Sequence, residues 1–244
     1  MKYLKYKCLL AIILGCSLSG CFDLTEEVFD RVDSGVYYQD ENSVKSAIAT
    51  VYSTGATSYA EYFWYLQEFP ADQVSWRVWN GGQWGYDEGE KFVFSIQNWT
   101  PDAKIIRSAW EKAWTTIGLC NTLLTDFGEL NPADLKMTEE GLKAYEGEVR
   151  TLRAWAYYNI FEIWGGALPL NIEPATVDGD LPPTADPDFD ASSKKIYDFI
   201  ATELDACYEG MAENQVNRMN KAVNRMIKAR LLLNAEVFIK ENHY

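Results

Sequence analysis

Apolar residues recur along most of this chain at intervals of three and four positions, the spacing that places side chains on one face of an α-helix. The pattern predicts six helices, over residues 40–54, 59–66, 101–127, 138–164, 192–209 and 220–240. Strand patterns are few: Phe92, Phe94 and Ile96 occupy alternate positions, and residues 168–172 form a second short candidate. The sequence therefore predicts an all-α protein with little strand.

The ends of the predicted helices carry residue types that cap or terminate helices. Gly55 follows the first helix, and Gly165 follows the fourth. Thr100 is the predicted N-cap of the third helix, with Pro101 in its first position and Gly128 after its last turn. This third helix is predicted to bury one stripe, made of Ile106, Ala109, Trp110, Ala113, Ile117, Cys120 and Leu124.

Helices that follow one another in pairs indicate a helical-repeat scaffold, although no fixed period or tetratricopeptide consensus is present. The longest segment between helices is NIEPATVDGDLPPTADPDFDASS, residues 171–193, which is rich in Pro, Asp and Ser. A loop of this length inside a compact domain is more often functional or packed across a surface than a linker. We therefore expect one domain.

Composition narrows the classes of function. Hydrophobic residues make up 48% of the 244 positions, enough for a sizeable core. The chain has 36 acidic and 22 basic residues and a formal net charge of -14. This charge argues against nucleic acid or an anionic membrane surface as a partner, and its simplest role is to keep the protein soluble.

The N-terminus has the layout of an export signal. The run MKYLKYKCLLAIILGCSLSGC begins with basic residues, continues with a short apolar stretch and ends in small residues before Cys21. The apolar stretch is shorter than the ~20 residues that a membrane-spanning helix needs. The four residues ending at Cys21, LSGC, resemble the bacterial lipobox, which predicts a signal peptide over 1–20 and a lipid-modified, palmitate-bearing Cys21. Ordinary signal cleavage is the alternative.

The cysteines agree with this interpretation. Cys8 and Cys16 leave with the signal and Cys21 takes the lipid, so Cys120 and Cys207 remain. Each of these lies in a helical apolar pattern without a second ligand at metal-binding spacing. We expect both to be small core residues, with a single disulfide as the alternative.

A loop rich in aromatic residues is the candidate ligand site. The stretch VSWRVWNGGQWGYDEG, residues 74–89, has neither helical nor strand periodicity. Sugars have apolar C–H faces and polar edges, so indole planes with hydrogen-bonding neighbours suit them. The predicted ligand-binding residues are Trp76, Trp79, Asn80, Trp84, Tyr86 and Asp87. The alternative is that the tryptophans pack the loop onto the helices. Core packing is the expected role of Trp110, Trp114, Trp155 and Trp164, which lie in the helical pattern.

Three motifs resemble those of the SusD/RagB family of outer-membrane lipoproteins. The run EVRTLRAWAYYNIFEIWGGALPL resembles the family signature through Arg150, Leu152, Arg153, Ala154, Tyr157, Tyr158, Trp164, Gly165, Pro169 and Leu170. The stretch from Gly81 to Leu124 is similar to the family segment in which G-G-x-W precedes W-T-P and a helix. The run KAVNRMIKARLLLNAEVF resembles a third family helix. The motifs occur in the family's order behind a lipobox.

The resemblance implies an α-helical fold of tetratricopeptide-like helix pairs with an irregular ligand-binding face. It implies nutrient binding, usually of glycans, and a SusC-like TonB-dependent transporter as partner. Family members are usually much longer, so residues 21–244 are expected to be the N-terminal half of a SusD-like architecture. The apolar face of the last helix, formed by Met226, Ala229, Leu233 and Val237, is then expected to be exposed.

Catalysis is the remaining alternative. Asp72, Asp87, Glu88 and Glu90 flank the aromatic loop, and glycoside hydrolysis uses two carboxylates. The only histidine is His243, near the chain end, and no nucleophile, zinc or phosphate-loop motif is present. We therefore expect no enzyme activity, cofactor or metal. The function classes are a glycan-binding lipoprotein, a related binder of peptide or another nutrient, and, less favoured, a hydrolase.

Overall fold

The computed structural model of this protein describes residues 37–76, 89–174 and 184–240. The described residues form helices, turns and irregular segments, with no strand among them. The helices are α1 (Glu41–Thr57), a π-helical segment (Ser58–Phe63), α2 (Trp64–Glu68), α3 (Glu90–Ser95), α4 (Lys104–Glu129), α5 (Glu139–Trp164), α6 (Phe189–Tyr208), α7 (Lys221–Leu233) and α8 (Ala235–Ile239). The all-α prediction is confirmed. The predicted signal peptide and Cys21 lie outside the described residues.

Helix α5 is the centre of the stack, with α4 and α6 against it. Side-chain contacts fix the directions: Arg153 of α5 meets Asn121 of α4, and further along Trp164 meets Trp110, so these two helices are antiparallel. Helix α6 is also antiparallel to α5, whereas α1 and α7 run parallel to it. Neighbouring helices thus alternate in direction, which confirms the predicted tetratricopeptide-like helix pairs.

The boundaries of α5 match the prediction closely. Thr138 is its N-cap and accepts a hydrogen bond from the Gly141 backbone N–H at 3.0 Å, and Gly165 follows its last residue. Its burial exceeds the predicted stripe, because no residue from Ala144 to Trp164 is exposed. The helix contributes to both large hydrophobic clusters of the core, to one through residues 142–152 and to the other through residues 154–161. A helix enclosed in this way has no fully exposed face over these residues, so periodicity alone underestimates how much of it is buried.

Helix α4 begins later than predicted, so Thr100 is not its N-cap. Residues 100–103 form a turn in which the Ala103 N–H donates to the Thr100 carbonyl at 3.1 Å. Gly128 lies inside the last turn rather than after it. The buried face is shifted from the predicted stripe: Ile105 and Leu123 are buried, and Ile106, Trp110 and Leu124 are only partly buried. Helix α4 packs against α1 as well as α5. Because it has two neighbours, the set of buried residues differs from the single predicted stripe.

The sequence predicted that Gly55 ends the first helix, and the structure shows that it does not. It lies inside α1, where a Cβ atom would sit 3.2 Å from the Trp155 ring. The helical path then continues through the π-helical segment and α2 to Glu68. The glycine therefore permits close packing of α1 on α5 instead of ending a helix.

The two predicted strands are wrong. Residues 90–95 form the short helix α3, whose Phe94 is buried. Residues 168–172 are irregular and are held by side chains instead of by a sheet: the Tyr157 hydroxyl donates to the Asn171 carbonyl at 2.8 Å, and the Asn121 amide donates to the same carbonyl at 3.1 Å. Backbone N–H and C=O groups need hydrogen-bond partners, and here side chains supply them, so this extended segment does not need to pair in a sheet.

The last predicted helix is two helices, α7 and α8, separated at Asn234. Its predicted exposed face is confirmed, because Met226, Leu233 and Val237 are 66%, 62% and 79% exposed and Ala229 is exposed as well. Within the part of the chain that the structure describes, no helix has the length and apolar character needed to cross a membrane.

We predict that Gly166→Ala destabilises the fold. A Cβ atom at Gly166 would lie 1.6 Å from Ser193 Oγ and 2.5 Å from Ser193 Cα, so the chain after α5 or the start of α6 must move. Overpacking of this kind should lower the free energy of unfolding by at least about 2 kcal/mol, measured by urea titration.

Gly118→Ala is the matched control for this substitution. Gly118 lies within α4, and its Cβ would meet nothing within 4 Å. The free energy of unfolding should then rise by about 0.5–1 kcal/mol from helix propensity alone. Equal effects of the two substitutions would show that the approach of residue 166 to α6 is unimportant.

A candidate aromatic binding surface

A small hydrophobic cluster forms apart from the two main cores, at the base of the aromatic loop. Phe69 follows α2, Phe94 lies in α3 and Ile105 begins α4, and all three are buried. Partly buried aromatic and aliphatic residues surround them, among them Tyr65, Val74 and Trp76. The elements on either side of residues 77–88 are therefore tied together by apolar packing.

Two indole rings lie at the surface of this cluster. Trp64 is 37% exposed and Trp99 is 41% exposed. The Trp99 ring stacks on buried Phe94, with centroids 5.5 Å apart and planes inclined by 14°. The Trp64 ring meets buried Phe69 edge to face at 5.7 Å. Each exposed indole is thus supported from beneath by a ring of the cluster, which limits its motion.

Trp64 and Trp99 are candidate site residues that the sequence pattern does not single out. Trp64 falls within a predicted helix but off its apolar stripe, and Trp99 directly precedes the Thr100–Pro101 pair, the predicted start of the third helix. An aromatic residue off the buried stripe of a helix was the available signal.

Trp76 is the one predicted ligand-binding residue within the described residues, and its contacts are those of packing. Its ring centroid lies 6.1 Å from that of Phe69, and its backbone N–H donates to Ser95 Oγ at 3.0 Å. The Lys91 ammonium lies 4.5 Å from the Trp76 ring and 4.7 Å from the Tyr65 ring. The other five predicted residues, Trp79, Asn80, Trp84, Tyr86 and Asp87, lie outside the described residues.

Two hydrogen bonds join the elements of this surface. In the turn after α2, the Gln73 N–H donates to the Glu68 carbonyl at 3.1 Å, and the Gln97 side chain, which follows α3, donates to the Pro70 carbonyl at 3.1 Å. Asp72 and Gln97 have φ angles of 58° and 54°, in the left-handed region. Non-glycine residues occupy this region at a cost, so the surrounding contacts must favour these turns.

The four tryptophans expected in the core all pack against it. Trp110 contacts Trp114 and Trp164 with ring centroids 5.4 and 5.3 Å apart, and Trp114 contacts Tyr157 at 5.7 Å. Trp155 lies 5.5 Å from Tyr59 of the π-helical segment. These rings are partly buried rather than fully enclosed, and they join α4 and the π-helical segment to α5.

Cys120 and Cys207 are both free and buried, which confirms the prediction that they are small core residues and rules out a disulfide between them. Burial raises the pKa of Cys120 to about 12, so its thiol is neutral near pH 7. No group of three or more metal-binding side chains occurs within residues 37–76, 89–174 and 184–240.

The fold is similar to solved structures of SusD-like proteins. A laminarin binding SusD-like protein aligns with a TM-score of 0.62 at 20% identity, over 82% of this chain and 41% of that one. A SusD-like protein from Bacteroides fragilis NCTC 9343 aligns with a TM-score of 0.61 at 21% identity, over 85% and 37%. Surface glycan-binding protein A from Bacteroides uniformis aligns with a TM-score of 0.57 at 18% identity, over 81% and 43%.

These alignments show that the described chain has the fold of SusD-like proteins and spans about two fifths of their length. No protein-family model matches the sequence, and no curated protein matches it. The fold implied by the sequence motifs is therefore confirmed by structure.

We predict that Trp76→Ala lowers the free energy of unfolding by about 2 kcal/mol, because the half-buried indole leaves a gap against Phe69. Trp76→Phe, which retains a ring, should cost less than half of that in the same urea titration. An unchanged unfolding midpoint for Trp76→Ala would contradict a packing role and favour the ligand-binding interpretation of this residue.

Proposed function

We propose that this chain is a member of the SusD/RagB family that binds glycans at the bacterial cell surface and delivers them to a TonB-dependent outer-membrane transporter. The fold is shared with proteins described as laminarin binding and as surface glycan-binding. The family motifs in the sequence, including the G-G-x-W segment that ends at Trp84, support the same assignment.

The single observation that carries glycan binding is the pair of exposed indoles, Trp64 and Trp99, supported by buried rings. A pyranose ring has an apolar face, which an indole covers without losing hydrogen bonds to water. Because the indoles are held in place before a ligand arrives, little side-chain entropy is lost on binding. Trp79 and Trp84 in the adjoining loop are proposed to extend this aromatic surface.

Polar groups near the indoles supply the second requirement of a sugar site. Asn98 is exposed and precedes Trp99 directly, so its amide is available to hydroxyl groups beside a stacked ring. Asn80, Tyr86 and Asp87 are the proposed polar groups of the loop. Indoles that stack on a sugar ring and polar groups that hydrogen-bond its hydroxyls are sufficient for binding. The proposed role therefore needs no catalytic group.

Membrane attachment is proposed to occur through acylated Cys21, which places the protein on the outer membrane with its helical domain at the cell surface. The motif LSGC at residues 18–21 and the short apolar run before it support this proposal. Stable anchoring needs more than one acyl chain, as bacterial lipoprotein modification supplies.

The exposed rings of Trp64 and Trp99 form what we call the indole surface. Its role is tested by combining Trp64→Ala with Trp99→Ala. Each lost stack should weaken glycan binding by about 1–3 kcal/mol, the scale known for bases stacked on aromatic side chains. Trp84→Ala is expected to weaken binding to a similar extent while barely changing the melting temperature. Retardation in polysaccharide gels, with laminarin among the glycans, gives the affinities.

Trp110→Ala is the control, because Trp110 packs between Trp114 and Trp164. It should lower the free energy of unfolding by about 3 kcal/mol and leave the affinity of the folded protein unchanged. Normal binding by the Trp64 and Trp99 variants of a protein shown to bind glycan would place the ligand elsewhere.

Lipid anchoring is tested by Cys21→Ala in cells. Without acylation the short apolar run cannot hold the protein in a bilayer, so nearly all of the protein should leave the membrane fraction. Fractionation after high-salt and carbonate washes measures this. A variant that stays membrane-bound after both washes would contradict the proposed lipoprotein.

A further inference from the structure

The loop between α6 and α7 forms one wall of an open cleft of about 540 Å³, a volume within the range of small-molecule sites. Tyr52 of α1 lines the cleft together with residues 214–220 and Val223 at the start of α7. The cleft lies beside Glu148 of α5, whereas the indole surface lies near the other end of the stack, where α5 ends at Trp164. Sixteen helical residues separate these two positions, or about 24 Å.

Five hydrogen bonds hold the loop in place. Arg218 donates through two nitrogens to the buried Glu148 carboxylate, and the Met219 N–H donates to the Tyr52 hydroxyl, which itself donates to Glu148. The Asn220 amide donates to the Gln215 carbonyl at 3.0 Å. The cleft is therefore formed before any ligand binds, which lowers the entropic cost of binding.

The lining of the cleft is electrically neutral and rich in amides. Among the described residues that line it, Arg218 alone is charged, and Glu148 compensates that charge. Asn214, Gln215 and Asn217 line the cleft, and their side-chain amides make no hydrogen bond within the described part of the chain. Each amide offers a donor and an acceptor, the combination that adjacent hydroxyl groups require.

The cleft is also lined by apolar residues. Val216 is 87% exposed at the tip of the loop, and Met219 and Val223 are partly buried below it. Apolar groups beside unpaired amides match a sugar ring, which has C–H faces and a hydroxyl rim. Peptide recognition commonly uses a sheet edge, a groove for an amphipathic helix or an aromatic-lined groove, and the lining residues form none of these.

We infer that this cleft is a second saccharide subsite, specific for neutral glycans and separate from the indole surface. The inference rests on the proposed glycan-binding function. Two subsites on one chain bind distant units of the same polysaccharide, so the second contact forms at a high effective concentration. A polymer is then retained more strongly than a short oligosaccharide that reaches only one subsite.

The test uses the full purified chain with the variant Gln215→Ala/Asn217→Gly. The Gln215 carbonyl that accepts from Asn220 is retained, and glycine suits the φ of 61° at Asn217. Glu209→Ala is the matched control, because Glu209 is exposed just before the loop and does not line the cleft. Urea titration verifies that all variants fold.

Isothermal titration with laminaritriose, maltotriose and cellotriose counts the sites, and gel retardation in laminarin and starch measures polymer binding. The wild type and Glu209→Ala should bind two molecules of a trisaccharide, and the cleft variant should bind one. The cleft variant should also bind the polymer at least about tenfold more weakly, because avidity is lost. A Trp64→Ala/Trp99→Ala variant should retain the cleft site alone.

One trisaccharide site in the wild type, with polymer affinity unchanged in the cleft variant, would overturn the second subsite and leave the proposed function intact. A wild-type chain that binds none of these saccharides would contradict the proposed function, and the second subsite with it.

Discussion

The enclosure of α5 is the constraint on which the rest of the structure depends. Polar groups on a buried helix must find partners within the protein, because an unpaired buried charge costs several kcal/mol. Glu148 pairs with Arg218, and Arg153 donates to both Glu203 of α6 and Asn121 of α4. The partners come from three other parts of the chain, so pairing the charges of α5 also fixes its neighbours around it.

The same pairs position the segments outside the helices. Asn121 accepts from Arg153 and donates to the carbonyls of Asn171 and Glu173, which ties the chain after α5 to α4. Arg218 and Tyr52 do the same for the loop before α7 through Glu148. The indole surface is different, because rings stacked on a small separate cluster hold it together with the hydrogen bonds of its turns. Polar networks thus position the segments packed beside Glu148 and Arg153, and aromatic packing joins the elements near Trp164.

The sequence predicted the helices better than it predicted their environment. Periodicity located α5 to within a residue because Thr138 caps it and Gly165 ends it. It misassigned Gly55 as a helix end, because the reason for this glycine is the Trp155 ring, which lies close to where a Cβ would be and is distant in sequence. The family motif singled out Arg153 without its role, since Glu203 lies fifty residues later. Trp64 and Trp99 were missed for the same reason: the rings beneath them come from other elements, and exposure follows from tertiary packing.

The proposed glycan binding depends on sugar rings that stack on the supported indoles at the surface. A crystal structure of the protein with a bound oligosaccharide from a glycan that it retains tests this most directly. We expect a pyranose ring stacked on Trp64 or Trp99, with ring planes nearly parallel and polar side chains at the hydroxyl groups. An oligosaccharide bound without contact to either indole would contradict it.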